Sequence, residues 1–315
     1  MAYQKLFDPA VAAPTVLPAT RLGDRGRASG TSAPVYEYDD AIVLAVNVAL
    51  AAGRPLLVRG DPGTGKSSLA RSVAHHLGWR FYAVTVSSRS TARDLLWTFD
   101  TVARLADAQA GAGQLRERAA YLTPGVLWWA FDQQSATRRG SSPAAVAPAV
   151  DPAGAHPSPR AVVLIDEIDK ADPDVPNDLL LPLGSFQFTL EDGTPVVAAT
   201  PPLVIITTNE ERDLPKAFLR RCVVLALREP DDSRLRAIVG LHFPAAAPTL
   251  IDPLISAYRT IRTDRIALNE VPPSVAEFLD AVAACAQLQA SADTGEWDQL
   301  AEFLLTKPAP PAPKP

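Results

Sequence analysis

Cysteine and histidine are scarce in this chain of 315 residues, with two of the first and four of the second. Cys222 and Cys285 lie far apart, without metal-type spacing and in apolar surroundings, so they read as small buried hydrophobes. His75 and His76 sit inside one helical stretch with no ligand partner at a useful spacing. Nothing requires an oxidising compartment. Also missing is any run of the roughly 20 apolar residues that crosses a bilayer. The opening MAYQKLFDPAVAAP has no charged start followed by an apolar stretch, so no secretory leader is expected. Basic excess is absent too: 30 Lys and Arg against 35 Asp and Glu give a formal net charge of -5. The basic residues are scattered rather than gathered into a stripe. No membrane association and no nucleic-acid partner is expected, and the expected location is the cytoplasm.

What is present is an ordinary globular composition, 47% hydrophobic and 21% charged, punctuated by 30 prolines. The prolines mark seams. Residues 1–34 form a Pro/Ala/Gly-rich lead-in without apolar periodicity, expected to be flexible. Residues 135–160 form a second such tract, expected as a mobile surface insertion. The tail 307–315, KPAPPAPKP, is expected to be extended and solvated.

Between the seams, strands and helices alternate. Asp39 or Asp40 caps a helix through AIVLAVNVALAAG that stops at Gly53. PLLVRG, FYAVTVS, AVVLIDE (161–167), LVIITTNE (203–210) and VVLALREP (223–230) read as strands. SSLARSVAHHLG, TARDLLWTFDTVARLADAQ and NDLLLPLGS read as helices. The alternation predicts an α/β fold, a parallel sheet flanked by helices. Beyond Pro230 only helical stretches follow, at 232–242, 249–263, 273–290 and 296–305. The expected organisation is a nucleotide-binding domain over 35–230, carrying the 135–160 insertion, and a small helical lid over 231–306.

Gly60-Asp61-Pro62-Gly63-Thr64-Gly65-Lys66-Ser67, followed by Ser68, fits G-x-x-x-x-G-K-[ST] and lies between an apolar strand and a helix. Its glycines allow the tight turn that points main-chain N–H groups at an anion. The helix that follows adds the positive end of its dipole. Lys66 faces the outer phosphates, and the Ser67 hydroxyl can hold Mg2+. ATP with magnesium is the expected ligand.

Val162–Ile165 end in Asp166-Glu167. Two carboxylates closing a buried strand are costly unless they have partners or work. In a protein with a phosphate loop, Asp166 holds the magnesium and Glu167 orients or deprotonates the attacking water. The next strand ends in Thr207-Thr208-Asn209, whose amide can hold that water in line, or simply serve a turn. In LPKAFLRRC, Arg220 and Arg221 are either a solvated basic pair or the source of an arginine finger. Trp128 and Trp129 read as core or subunit-contact residues, and Tyr36 and Tyr38 as packing or adenine contacts. Asp192-Gly193 between FQFTLE and TPVVAA reads as a hairpin turn.

The ordered set GDPGTGKSS, VVLIDEIDKAD, ITTNEERDLP and AFLRRC resembles the AAA+ ATPases, most of all the MoxR branch. The resemblance runs from about Tyr36 to about Ala290. It assigns Lys66 and Ser67 to Walker A, Asp166 and Glu167 to Walker B, and Asn209 to sensor 1. Arg221 is its arginine finger, with Arg220 second. It implies an ATPase that forms a homo-oligomeric, hexameric ring. That ring would act as a chaperone on a protein client, such as one bearing a von Willebrand A domain. One position departs from the pattern: PPSVAEFLDA, Pro272–Ala281, has no sensor-2 arginine. A nucleotide-gated binding module with slow or no hydrolysis is the alternative. A GTPase is disfavoured because none of the asparagines 47, 177, 209 or 269 precedes a lysine. Against a small kinase, Glu167 and the helical tail have no use. A nucleic-acid motor is disfavoured by the acidic balance.

Overall fold

The computed structural model describes residues 3–11, 34–109, 116–140, 148–154, 156–245, 248–288, 300–301 and 303–306. The 307–315 tail, most of the lead-in, and residues 141–147 and 155 of the insertion lie outside the described residues. The chain divides into two compact units, one of residues 1–34, 38–59 and 67–226 and the other of 35–37, 60–66 and 227–315. The glycine loop 60–66, expected with the α/β domain, thus groups with the C-terminal helices. Its backbone lies against Leu227 and Ser274.

The first unit opens with α1 (Asp40–Ala52), whose N-cap Asp39 accepts from the Ile42 N–H and whose stop, Gly53, has φ 59°. Next come β1 (Leu56–Arg59), α2 (Lys66–Leu77) and β2 (Arg80–Thr85). A smaller group follows: α3 (Ala92–Leu96), β3 (Trp97–Phe99), α4 (Thr101–Gln109), β4 (Leu122–Pro124), α5 (Val126–Phe131) and α6 (Gln133–Thr137). Then come β5 (Ala161–Asp166), α7 (Val175–Asp178), α8 (Leu180–Ser185), β6 (Gln187–Thr189) and β7 (Pro195–Val197). The unit closes with β8 (Leu203–Thr208), α9 (Lys216–Leu219) and β9 (Val223–Ala226).

Five strands form one parallel sheet in the order β2-β5-β8-β1-β9. It is the α/β fold the alternation predicts. The central strands β5 and β8 are buried on both faces, which is why AVVLI and LVIITT are continuous apolar or threonine runs rather than alternating ones. Crevices at the carboxyl ends of such strands are where ligands of open parallel sheets bind.

One expectation is corrected. Residues 91–109 do not form one helix. A capping box of Thr91 with Asp94 starts α3, but Trp97-Thr98-Phe99 leaves it to pair antiparallel with β4. The alternation of buried Trp97 with exposed Thr98 suits a strand, and Asp100 then recaps the chain by accepting from the Ala103 N–H. The described flanks of 135–160 meet side chains of β2 and α6. Buried Arg80 donates to the Pro159 carbonyl at 2.8 Å, and Asp151 accepts from Gln133 Nε2 at 2.6 Å and Tyr82 Oη at 3.1 Å. A guanidinium out of water must find acceptors; this segment supplies one, and the Tyr82 hydroxyl and the Trp129 carbonyl supply two more. In the lead-in, Phe7 is 2% exposed. Asn47 receives the N–H groups of Leu6 and Phe7 and donates to the Phe7 carbonyl.

The second unit contains α10 (Asp232–His242), α11 (Pro248–Ala267) and α12 (Val275–Leu288). Leu235, Leu254, Tyr258, Phe278 and Val282 form its core. Ser274 and Glu277 make a reciprocal capping box at the start of α12. Among the described residues, no helix is long and apolar enough to cross a membrane.

Candidate functional site

At the carboxyl ends of β5 and β8, residues from three stretches of the first unit meet. The register that pairs Ile165 with Ile206 brings Asp166 level with Thr207 one step further on. Thr207 Oγ1 donates to Asp166 Oδ1 at 2.5 Å and accepts the Glu167 N–H at 2.9 Å. Ser67 Oγ, in the first turn of α2, lies 2.8 and 2.9 Å from the two oxygens of the same Asp166 carboxylate. A hydroxyl beside a carboxylate offers hard oxygen donors, which fits a magnesium ion.

Glu167 turns the chain through a left-handed conformation, φ 60° and ψ 49°, which costs a non-glycine residue about 1 kcal/mol. The turn aims its carboxylate at two donors. Asn209 Nδ2 reaches Oε1 at 3.3 Å, and Lys170 Nζ reaches Oε2 at 3.2 Å. The Glu167 hydrogen bond in turn raises the pKa of the Lys170 ammonium. Asp166, Glu167, Asn209 and Ser67 are therefore brought together.

The loop itself belongs to the second unit. Gly63 (φ 78°) could not carry a side chain: a Cβ there would stand 2.5 Å from that of Ser274. At Gly60 a Cβ would stand 2.5 Å from the Leu227 carbonyl oxygen. Lys66 is 7% exposed and donates to the Gly60 and Asp61 carbonyls at 2.7 and 2.8 Å. Arg262, on α11, is a basic side chain beside this loop. Its Nη2 lies 3.4 Å from both Asp61 Oδ2 and Glu229 Oε2, and its Nη1 donates to the Pro273 carbonyl at 2.8 Å. Tyr36 packs against Gly65, whereas Tyr38, in the first unit, donates to Ser72 and meets the rings of Phe7 and His76.

Arg220 and Arg221 follow α9, and both are exposed. Among the described residues, neither guanidinium has an ion-pair or hydrogen-bond partner. Arg221 lines a cavity of about 260 Å³ with Arg54, Leu183, Phe218 and Cys222. Trp128 and Trp129 are core residues, 0% and 2% exposed. Among the described residues, no group of three or more His, Cys, Asp or Glu side chains is placed to hold a metal ion by itself, at His75 and His76 or elsewhere.

Four residues of these networks carried no assigned role in the sequence: Thr207, Asp169, Lys170 and Arg262. For Asp169 a signal existed, a third acid in IDEID following a buried strand. The others depend on register and on the path of a distant helix.

In sequence, the AAA domain family of the dynein-related subfamily matches residues 55–222, more than half of the 315. No curated protein matches the chain. Among solved structures, the Thermotoga maritima RuvB Holliday junction branch migration motor is 16% identical, with a TM-score of 0.44. That match covers 84% of this chain and 67% of the motor. A point mutant of T. maritima RuvB is 17% identical, at a TM-score of 0.44 with 84% and 68% covered. A Cytophaga hutchinsonii protein described as a candidate ATPase is 14% identical, at 0.41 with 84% and 79% covered. With its parallel sheet, glycine loop and strand-end acids, the chain belongs to the dynein-related AAA domain family.

Proposed function

We propose that this chain is a MoxR-type, magnesium-dependent ATPase that works as a ring on a protein client. One observation carries the reading: Ser67, Asp166, Glu167 and Asn209 are joined through Thr207 into one hydrogen-bonded set at the ends of β5 and β8. Family membership supports nucleotide binding; hydrolysis, ring and client are the proposal.

The main-chain N–H groups of Gly60–Ser68 take the phosphates, and the Lys66 ammonium exchanges the loop carbonyls for phosphate oxygens. Ser67 and Asp166 hold magnesium, which when bound draws charge from the phosphates. Glu167 accepts the proton of the attacking water, and Asn209 orients that water. Arg221, or Arg220 as second choice, reaches the nucleotide of a neighbouring copy. Arg262 stands in for the arginine absent from 272–281, because its guanidinium pairs with the loop at Asp61. The assembly is a hexamer, and a von Willebrand A domain protein is the client that the MoxR resemblance favours.

Turnover of ATP by wild type and Glu167→Gln, with and without magnesium, tests the hydrolytic part. Magnesium-dependent turnover should fall roughly a hundredfold or more in the variant, about 3 kcal/mol of barrier. Equal, slow turnover in both, with ATP still bound, would instead establish the nucleotide-gated binding module. Sedimentation with and without ATP tests the ring, and a persistent monomer would remove it.

A further inference from the structure

Asp169 is 3% exposed, a carboxylate almost fully out of water two residues beyond Glu167. Burying an ionisable group this deeply is costly unless its oxygens are satisfied. They are satisfied by main chain. Oδ2 accepts the N–H of Asn209 at 3.2 Å and the N–H of Glu211 at 3.0 Å, and Oδ1 lies 3.4 Å from the same Asn209 N–H. One carboxylate on the turn after β5 therefore pins two alternate amides of the turn after β8. Between them Glu210 has φ 59°, a left-handed residue that folds the segment back and brings both N–H groups to one side.

We propose that Asp169 is a positioning residue that sets the Asn209 amide against Glu167. The argument is geometric. Asn209 is tied to the β5 turn twice, by its main-chain N–H on Asp169 and by its side-chain amide on Glu167 Oε1. The first tie fixes the backbone from which the second reaches. Without it, Asn209 hangs on a strand end whose neighbours Glu210, Glu211 and Arg212 are all exposed. A displacement of about 1 Å in a group that orients a reactant can cost about a hundredfold in rate. Asp169 touches neither water nor nucleotide in this scheme; it acts through Asn209. The inference rests on the hydrolytic reading above for its consequence, and on the local geometry for its mechanism.

The test is a cycle in the full chain, comparing Asp169→Ala, Asn209→Ala and the double variant with wild type. Asp169→Ala should lower ATP turnover about tenfold to a hundredfold while the affinity for a fluorescent ATP analogue stays within about twofold. Asp169→Asn keeps one acceptor oxygen and should fall between the two. Because Asp169 works through Asn209, the double variant should be no slower than Asn209→Ala alone. Multiplying losses, or affinity lost in step with turnover, would overturn the proposal. Should Asp169→Ala fail to fold, amide hydrogen exchange of wild type decides. The Asn209 and Glu211 amides should be protected, and free exchange at both would overturn the proposal. A wild type that binds ATP but never hydrolyses it removes the hydrolytic reading instead, and the exchange measurement still judges Asp169.

Discussion

Two regions of the first unit handle charge in opposite ways. At the ends of β5 and β8, the carboxylates of Asp166, Glu167 and Asp169 all have donors from this same chain. In the turn between α9 and β9, Arg220 and Arg221 stand exposed with no carboxylate among the described residues to meet them. A charge satisfied in place is already where it is used. A charge left in solvent gains little from its own chain, and is free to serve an anion from elsewhere. The contrast separates what one copy can assemble alone from what it can offer to another.

The strongest way to break this comparison is at Arg221. If its partner is the nucleotide of a neighbouring copy, Arg221→Ala should reduce ATP turnover about a thousandfold, the lower end for loss of an arginine finger. Arg220→Ala should cost far less. Mixing Arg221→Ala with Glu167→Gln should restore part of the activity, since some mixed interfaces then pair an intact acid set with an intact finger. Steady-state turnover of the separate and mixed variants checks this. No recovery on mixing, with both variants assembled, would place Arg221 in the service of its own copy.

A smaller effect is expected inside the acid set. Thr207→Val keeps the shape of the side chain but removes the hydroxyl that donates to Asp166 and receives the Glu167 N–H. Removing an outer partner of a metal-binding carboxylate typically costs about 10- to 100-fold in metal affinity or activity. Titrating turnover against magnesium should show the half-saturating concentration raised by a factor in that range. If only thermal stability changes, Thr207 is a packing residue and the acid set is less closely knit than its hydrogen bonds suggest.

Thr207 was not legible in the sequence, for a physical reason. The five strands were legible because a parallel strand covered on both faces must be apolar along its length, as Val162–Ile165 and Leu203–Ile206 are. The loop and the Asp166-Glu167 pair were legible because their chemistry demands fixed residue types at fixed spacing. Thr207 sits in an equally apolar strand, and its role comes from lying level with Asp166 on the next strand. Sequence carries no register between strands so far apart in the chain. The same blindness merged α3, β3 and α4 into one helix, because the pairing of Trp97–Phe99 with Leu122–Pro124 is also a contact across a gap. Arg262, far along the chain from the loop, was equally invisible.

Arg262 supplies the comparison's third case, a cation with acceptors in its own chain. Its side chain is 12% exposed, and it ties Asp61 of the loop to Glu229 and to the Pro273 carbonyl just ahead of α12. If a phosphate chain binds at the loop as proposed, it would add a competing anion near this guanidinium, and part of the binding energy would go into rearranging these ties. Arg262→Gln keeps the length and some hydrogen bonding but removes the charge. It should weaken ATP binding by about fivefold, the effect of roughly 1 kcal/mol of coupling, with ADP affected less. Titrations with fluorescent analogues of both nucleotides would measure it. Equal losses for ATP and ADP would mean that Arg262 braces the loop without reading the terminal phosphate. Arg262 would then be structural, and the pair at 220 and 221, whose guanidinium groups have no partner among the described residues, would remain beside Lys66 as a source of positive charge for the nucleotide.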